Sequence, residues 1–464
     1  MTPPAVAAAR LAAARAALAR AVPPGPAPGW AGPAARAAAG AAAALGERHR
    51  TLLADLDGVL AALVAAVAAP GAAADAALAA VLEAAGHGPP APPGTVPLGS
   101  GRGPDPEGVA RWWAGLDPDA RAVLERERPA LVGGLDGLPA AVRDRANRVV
   151  LAGAQEQARH EERAILDRLA RARGPGELAR VGWQLHEVRT RLARLTAVAG
   201  ALDRPGRALL DLEVESRRTD GEGVRAAVAQ GDVDTAAHVG VYTPGFTTGV
   251  DELPARLGEL ESLAAAAGPG TATVAWYGYD APQVDEVLDP DRSVLGRAAA
   301  EHGGQRLGSF LDGLDAARSG DVPDAHVTAI GHSYGSVVTA VALAPGGADA
   351  ADDAVFLGSP GVGESPGRPA GHAWVVEAPG DPVADTGWFG PDPNRAPGVT
   401  GLSAREVVLP DGRVLAGSHG HGGYLEPGST SAANVAAVVG GRPDDAVLDR
   451  GVGVGDRLRR LVGG

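Results

Sequence analysis

From residue 206 onward the chain alternates short β-rich runs with helical stretches, and this alternation restricts its fold more than any other feature. The runs cover residues 209–214, 224–229, 238–242, 271–277, 326–330, 354–357, 372–377 and 405–409, bounded by Gly, Pro or Asp. Helical patterns lie between several of them, for example at 252–266 and 303–317. Parallel neighbours in a sheet need a crossover, usually a helix, so the pattern predicts a doubly wound, mostly parallel sheet of about eight strands. At 464 residues the chain is too long for one ordinary core, and two or three domains are expected.

The N-terminal half reads as all-α. Leu11 and Leu18 stand seven apart before Pro23, Pro24, Pro26 and Pro28 interrupt the pattern. From Pro33 the apolar positions Leu45, Leu52, Leu56, Val59, Leu63 and Val67 recur every three, four or seven residues, one stripe that needs a partner helix. A Pro/Gly-rich linker follows at 87–107. Beyond it Leu178, Val181, Leu185, Val188, Leu192 and Leu195 form a seam expected to pack on a helix covering residues 149–169. The resulting division is a helical hairpin at 1–86, the linker, a helical subdomain at 108–205, the α/β domain at 206–440 and a tail at 441–464.

Charge and composition narrow the partners. The first 200 residues carry about +4 and the remainder about −18, within a formal net charge of −14, which argues against nucleic acid as a ligand of the α/β half. The chain has no cysteine, which excludes a thiolate nucleophile, a disulfide framework and sulfur-based metal sites. The first twenty residues hold Arg10, Arg15 and Arg20 among alanines with no signal-peptide core, and the longest apolar stretch, 59–69, is about half of the ~20 residues a membrane span needs. No transmembrane segment and a cytoplasmic location are expected, with export lacking a cleavable signal as the alternative.

Gly331-His332-Ser333-Tyr334-Gly335 carries the chemistry. It fits the G-x-S-x-G nucleophile elbow of α/β hydrolases, in which a serine sits on a sharp strand-to-helix turn and Gly331 and Gly335 leave room for close approach. The run 326–330 precedes it and a helical pattern at 336–343 follows. A second match, Gly363-Glu364-Ser365-Pro366-Gly367, fails on physical grounds: the residue after the serine must offer its backbone N–H to an oxyanion, and proline has none. His332 cannot be the base of the serine beside it, because neighbouring side chains at such a turn diverge; packing or gating is expected instead.

In this fold the acid follows a later strand and the histidine comes near the end. Asp381 lies in Gly380-Asp381-Pro382, just past the run 372–377, with Asp385 in reserve. The base comes from the cluster around His419 and His421, between which spacing does not choose. Two histidines two apart could also bind metal, but no carboxylate flanks them closely, so neither metal nor cofactor is expected. The loop after 238–242 is the expected source of the second oxyanion donor, the backbone N–H of Phe246, beside that of Tyr334. Tyr277 and Tyr279, in an aromatic-rich segment after the run 271–277, are candidates for lining an acyl pocket.

Several blocks together resemble an actinobacterial α/β-hydrolase family with a predicted Ser–Asp–His triad. They are Trp112-Trp113, Leu135-Asp136-Gly137-Leu138-Pro139, Arg143-Asp144-Arg145-Ala146-Asn147, Val241-Tyr242-Thr243-Pro244-Gly245, Trp276 to Pro282, the elbow, Gly380-Asp381-Pro382, and His421 with Tyr424. The resemblance implies His421 rather than His419 as the base. Trp30-Ala31-Gly32 between two helical segments resembles the WXG-type hairpins associated with type VII secretion, although no tyrosine is followed by an acid four positions later as an export tail would require. The expected function is a serine hydrolase acting on a small ester, thioester or amide through an acyl-enzyme on Ser333. The competing expectation is a scaffold that uses residues 1–86 for self-association or for a helical partner.

Overall fold

A computed structural model of the protein describes residues 104–214, 223–282, 296–318, 322–345, 347–362, 372–384, 389–390 and 393–449. The hairpin at 1–86, its Trp30-Ala31-Gly32, Ser365 and Asp385 lie outside the described residues. By contact the chain divides into two units, residues 1–95 with 115–120, and residues 96–114 with 121–464. The second contains everything considered below except the first three residues of α2.

Among the described residues five helices come first: α1 (Pro106–Ala114), α2 (Pro118–Glu127), α3 (Pro129–Gly134), α4 (Ala140–Leu169) and α5 (Pro175–Ala201). Strands β1 (Arg207–Val214), β2 (Val224–Gln230) and β3 (His238–Thr243) follow, then α6 (Leu253–Ala267), β4 (Thr271–Tyr277) and α7 (Ala298–Ala316). The remainder is β5 (His326–His332), α8 (Tyr334–Ala342), β6 (Asp353–Leu357), β7 (Ala373–Val376), β8 (Val399–Leu402), the short pair β9 (Val407–Val408) and β10 (Val414–Leu415), and α9 (Thr430–Val439). Eight strands form one sheet in the order β1-β2-β4-β3-β5-β6-β7-β8. β2 runs antiparallel to both of its neighbours, and all pairs from β4 to β8 are parallel.

The alternation along each strand explains the layering. Ala275 and Tyr277 of β4 join a core with residues of α4, α5, α6 and α9, whereas Val274 and Trp276 join one with α7 and α8 on the opposite face. Because helices cover both faces, the central strands read as almost unbroken apolar runs. The α5 seam is buried at Val181, Leu185 and Val188 against Ile165 and Leu169 of α4, while Leu178 at its start is exposed.

One strand expectation needs correcting. Residues 405–409 do not form the eighth strand of the sheet; β8 does, pairing parallel with β7. Val407 and Val408 instead pair antiparallel with Val414 and Leu415 in a separate hairpin. Pro410-Asp411-Gly412 is a turn signal that closes this hairpin locally, whereas β8 contains Gly401 and follows Pro397-Gly398, which disguises it in sequence.

The outer edge of β1 is capped by α4. Asp144 accepts from the Leu209 N–H at 2.7 Å, Asn147 donates to the Leu209 carbonyl at 3.0 Å, and Arg148 donates to the Arg207 carbonyl at 3.0 Å. Backbone groups on an edge strand otherwise offer a template for a foreign strand, so the block Arg143 to Asn147 closes the sheet. Asn147 is fully buried and also donates to the Gly133 carbonyl at 3.1 Å. A methyl group on Gly133 would lie 1.9 Å from Asn147 Oδ1, which has nowhere to retreat. Gly133→Ala is therefore expected to destabilise the protein by about 1–3 kcal/mol in urea denaturation; an unchanged midpoint would mean that this clamp is not part of the stable core.

Candidate active site

Ser333 sits at the junction of β5 and α8 with φ 55° and ψ −128°. Among the described residues only Thr247 shares a positive φ outside glycine, and it lies in the loop that faces the serine. Two strained residues in two converging loops are the pattern expected where backbone is held for function, each at a cost of about 1–3 kcal/mol. The Ser333 N–H is tied to the Leu357 carbonyl of β6 at 2.9 Å. The elbow glycines are steric necessities: a Cβ on Gly331 would lie 2.6 Å from Ser336 Cα, and one on Gly335 would lie 2.4 Å from the carbonyl oxygens of both Thr243 and Pro244.

The loop after β3 meets the serine through Gly245, where an added Cβ would stand 2.6 Å from Ser333 Cβ and 3.1 Å from its Oγ. The amide that follows is that of Phe246. Tyr334 is the first residue of α8, whose N–H has no intrahelical acceptor. Among the described residues neither the Phe246 nor the Tyr334 amide is donated to a backbone acceptor. The loop itself is braced by Tyr279, whose hydroxyl donates to the Pro244 carbonyl at 2.7 Å and whose ring stacks on Trp276 with centroids 6.0 Å apart.

Asp381 and His421, forty residues apart, are brought together. His421 Nδ1 lies 3.0 and 2.9 Å from the two carboxylate oxygens of Asp381, whose side chain is fully buried. Asp381 also accepts from the Val383 N–H at 2.9 Å and from the Tyr424 hydroxyl at 2.5 Å. Burial alone would raise this carboxyl, but the hydrogen bonds from His421, Tyr424 and Val383 outweigh it and hold the group down at about 2. An acceptor-only carboxylate assigns the proton to His421 Nδ1 and leaves Nε2 bare. His419 is exposed and makes no bond to the acid. No hydrogen bond joins Ser333 Oγ to His421 among the described residues; such contacts are commonly long without substrate and tighten on binding.

Three features of the site were not assigned in sequence. Tyr424 accepts from the Ala378 N–H at 3.0 Å while donating to Asp381, so one hydroxyl locks the acid to its own turn. Gly358 makes room for that pair, since its Cβ would lie 2.6 Å from Asp381 Oδ2. His332, expected to pack, reaches His421: its Nε2 is 2.6 Å from the His421 carbonyl, and the two rings are 4.9 Å apart. The His-x-x-Tyr block was the available signal for Tyr424; nothing local in the sequence pointed to Gly358.

Tyr277 and Tyr279 are both buried and line a small cleft with Arg194, Val224, Thr248 and Asp280. Among the described residues no group of three or more His, Asp or Glu side chains could hold a metal ion, and no helix is long and apolar enough to cross a membrane.

A profile of the alpha/beta hydrolase family matches residues 220–391, which include the elbow and Asp381. An uncharacterized protein of Mycobacterium tuberculosis is 36% identical over 257 residues, covering 51% of this chain and 91% of that protein. The chain belongs to the alpha/beta hydrolase family. A second uncharacterized protein of Mycobacterium tuberculosis is 32% identical over 299 residues, 60% of this hydrolase and 44% of the relative. Among solved structures, a hyperthermophilic esterase from the archaeon Pyrobaculum calidifontis is similar over 60% of this chain and 96% of its own, with 13% identity and a TM-score of 0.34. An esterase of Mycobacterium marinum is similar over 55% and 86%, with 17% identity and a TM-score of 0.33.

The depressed Asp381 carboxyl links the site to stability. Its unfolded value is about 3.9, so its contribution is fully present above that pH and is lost as pH falls through about 2. Asp381→Asn should therefore flatten the stability curve between about pH 4 and pH 2. Tyr424→Phe should weaken the same segment and cost about 1–3 kcal/mol near neutrality, by leaving the Ala378 N–H unpaired. Thermal melts across this pH range decide both; an unaltered slope in Asp381→Asn would exclude the linkage.

Proposed function

We propose that this alpha/beta hydrolase cleaves carboxylic esters of small molecules through an acyl-enzyme on Ser333, without a cofactor. The observation that carries the reading is the His421–Asp381 pair: a buried, ionised carboxylate gripping Nδ1 of an imidazole whose Nε2 is free to take a proton. Ser333, on its strained elbow, is the nucleophile such a pair serves.

Ser333 Oγ attacks the carbonyl carbon while His421 Nε2 takes the hydroxyl proton. The carbonyl π electrons move onto oxygen, to which the N–H groups of Tyr334 and Phe246 donate hydrogen bonds, each worth about 3–4 kcal/mol of barrier. As the tetrahedral intermediate collapses, the bond to the leaving alkoxide breaks and His421 returns the proton to it. Water, deprotonated in turn by His421, attacks the acyl carbon; as this second intermediate collapses, the bond to Ser333 Oγ breaks, His421 returns the proton to that oxygen, and the acid leaves. Asp381 stays ionised throughout, holding the tautomer and stabilising the imidazolium.

The cleft beside the loop after β3, lined by Pro244, Thr248 and Gly249 of that loop, is the proposed place for a small acyl or alcohol group. Tyr277 and Tyr279 are the proposed walls of this pocket. Tyr279 has a second role as the brace of Pro244, on which the position of the Phe246 amide depends.

The decisive experiment is labelling with a fluorophosphonate together with turnover of p-nitrophenyl esters. Ser333→Ala should abolish both, a loss of order 10⁶ in turnover if the wild type is efficient, while Ser365→Ala leaves them unchanged. His421→Ala should cost far more than His419→Ala. Absence of Ser333-dependent labelling would defeat the reading. Tyr279→Phe keeps the ring and removes the brace, so it should lower kcat roughly tenfold or more on short esters, whereas Tyr279→Ala should also change the preferred acyl length. A Tyr279→Phe enzyme with wild-type kcat would show that the loop holds itself.

A further inference from the structure

The reaction above makes no use of His332, yet its placement is specific. Its Nε2 lies 2.6 Å from the main-chain carbonyl of His421, and its ring lies 4.9 Å from the His421 ring and 5.8 Å from that of Tyr424. A carbonyl oxygen only accepts, so Nε2 carries the proton and donates. His421 itself stands in no regular element: Gly420 precedes it with φ 68°, and Gly422 and Gly423 follow. Asp381 holds only the tip of the ring at Nδ1, which leaves the imidazole free to swing about that contact if the main chain shifts. A glycine-rich loop does shift unless something fixes it.

We propose that His332 is a positioning residue: its Nε2–H clamps the His421 main chain to the nucleophile strand, so that the base is held at two points and keeps one height and tilt. The inference rests on His421 being the base. The clamp ties the base loop directly to β5, because His332 is the last residue of that strand and Ser333 follows it, so nucleophile and base move as one body. A flat ring suits the position, since it can donate edge-on and stack at the same time. The groups facing it are His421, Asp381, Tyr424 and, at longer range, Arg256. Burial first, and His421 second, hold the His332 imidazole down to about 4, so it stays neutral while His421 acquires its charge in turnover.

The test uses the full chain with His332→Phe, which keeps an aromatic ring and loses the donor, and His332→Gln, which keeps a donor. On p-nitrophenyl acetate, His332→Phe should lower kcat roughly 10- to 100-fold with KM little changed, the effect of a small misplacement of a catalytic group, and His332→Gln should recover most of the loss. In parallel, the far-downfield proton resonance of His421 Nδ1–H should broaden in His332→Phe and persist in His332→Gln. Wild-type kcat together with an unaltered resonance in His332→Phe would overturn the proposal, as would equal losses in the two variants. Should His332→Phe not fold, His332→Ala takes its place in both measurements with the same expected result. The resonance reads the clamp whether or not esters are turned over. Failure of Ser333-dependent turnover in the wild type thus counts against the ester reading, and failure of the resonance to respond counts against the clamp.

Discussion

Everything at the candidate active site depends on a serine held at φ 55°. A side chain is strained in this region, and the turn keeps it there by removing every alternative. The Ser333 N–H is fixed to β6, and Gly331, Gly335 and Gly245 bring backbone so close that no Cβ would fit at any of them. The same turn starts α8, so that among the described residues the Tyr334 amide donates to no backbone acceptor, as the proposed oxyanion role requires.

The acid is organised by different physics. A buried carboxylate without donors would be neutral, and a neutral Asp381 could not hold the His421 tautomer. The Val383 amide, the Tyr424 hydroxyl and His421 together keep it ionised. Tyr424 carries the most consequence per atom, since its hydroxyl joins the turn after β7 to the His421 loop. With His332 on the carbonyl of His421, a glycine-rich loop acquires fixed points from β5 and β7, the strands that flank β6.

The helices before the sheet close it. Asp144, Asn147 and Arg148 occupy the exposed edge of β1, and buried Arg143 reaches the Gly133 carbonyl and Asp136, which in turn accepts from Ser309 of α7. Charged and amide side chains conspicuous in sequence are here structural, which separates their role from that proposed for the blocks around Ser333, Asp381 and His421. The core built on Leu151, Ala158, Leu195 and Val198 of α4 and α5 continues into Leu209, Leu212 and Val224 of the sheet.

Sequence alone determined the fold class and seven of the eight sheet strands and singled out Ser333 as the candidate nucleophile, because strand alternation, glycine-flanked elbows and the missing N–H of proline are local properties that residues carry wherever they stand. It ranked Asp381 and His421 by chain order and resemblance, but spacing could not separate His421 from His419, since both belong to one flexible loop. Tertiary structure places the His421 imidazole, and not that of His419, on a carboxylate forty residues away, which is what favours His421 in the proposed reading. It also moved the eighth strand from residues 405–409 to Val399–Leu402, because a β-rich run with its own turn pairs with itself unless the sheet takes it. The clamp of His332, the brace of Tyr279 and the room left by Gly358 were invisible in sequence for the same reason: each is a contact between segments that only the closed sheet brings within a few ångströms.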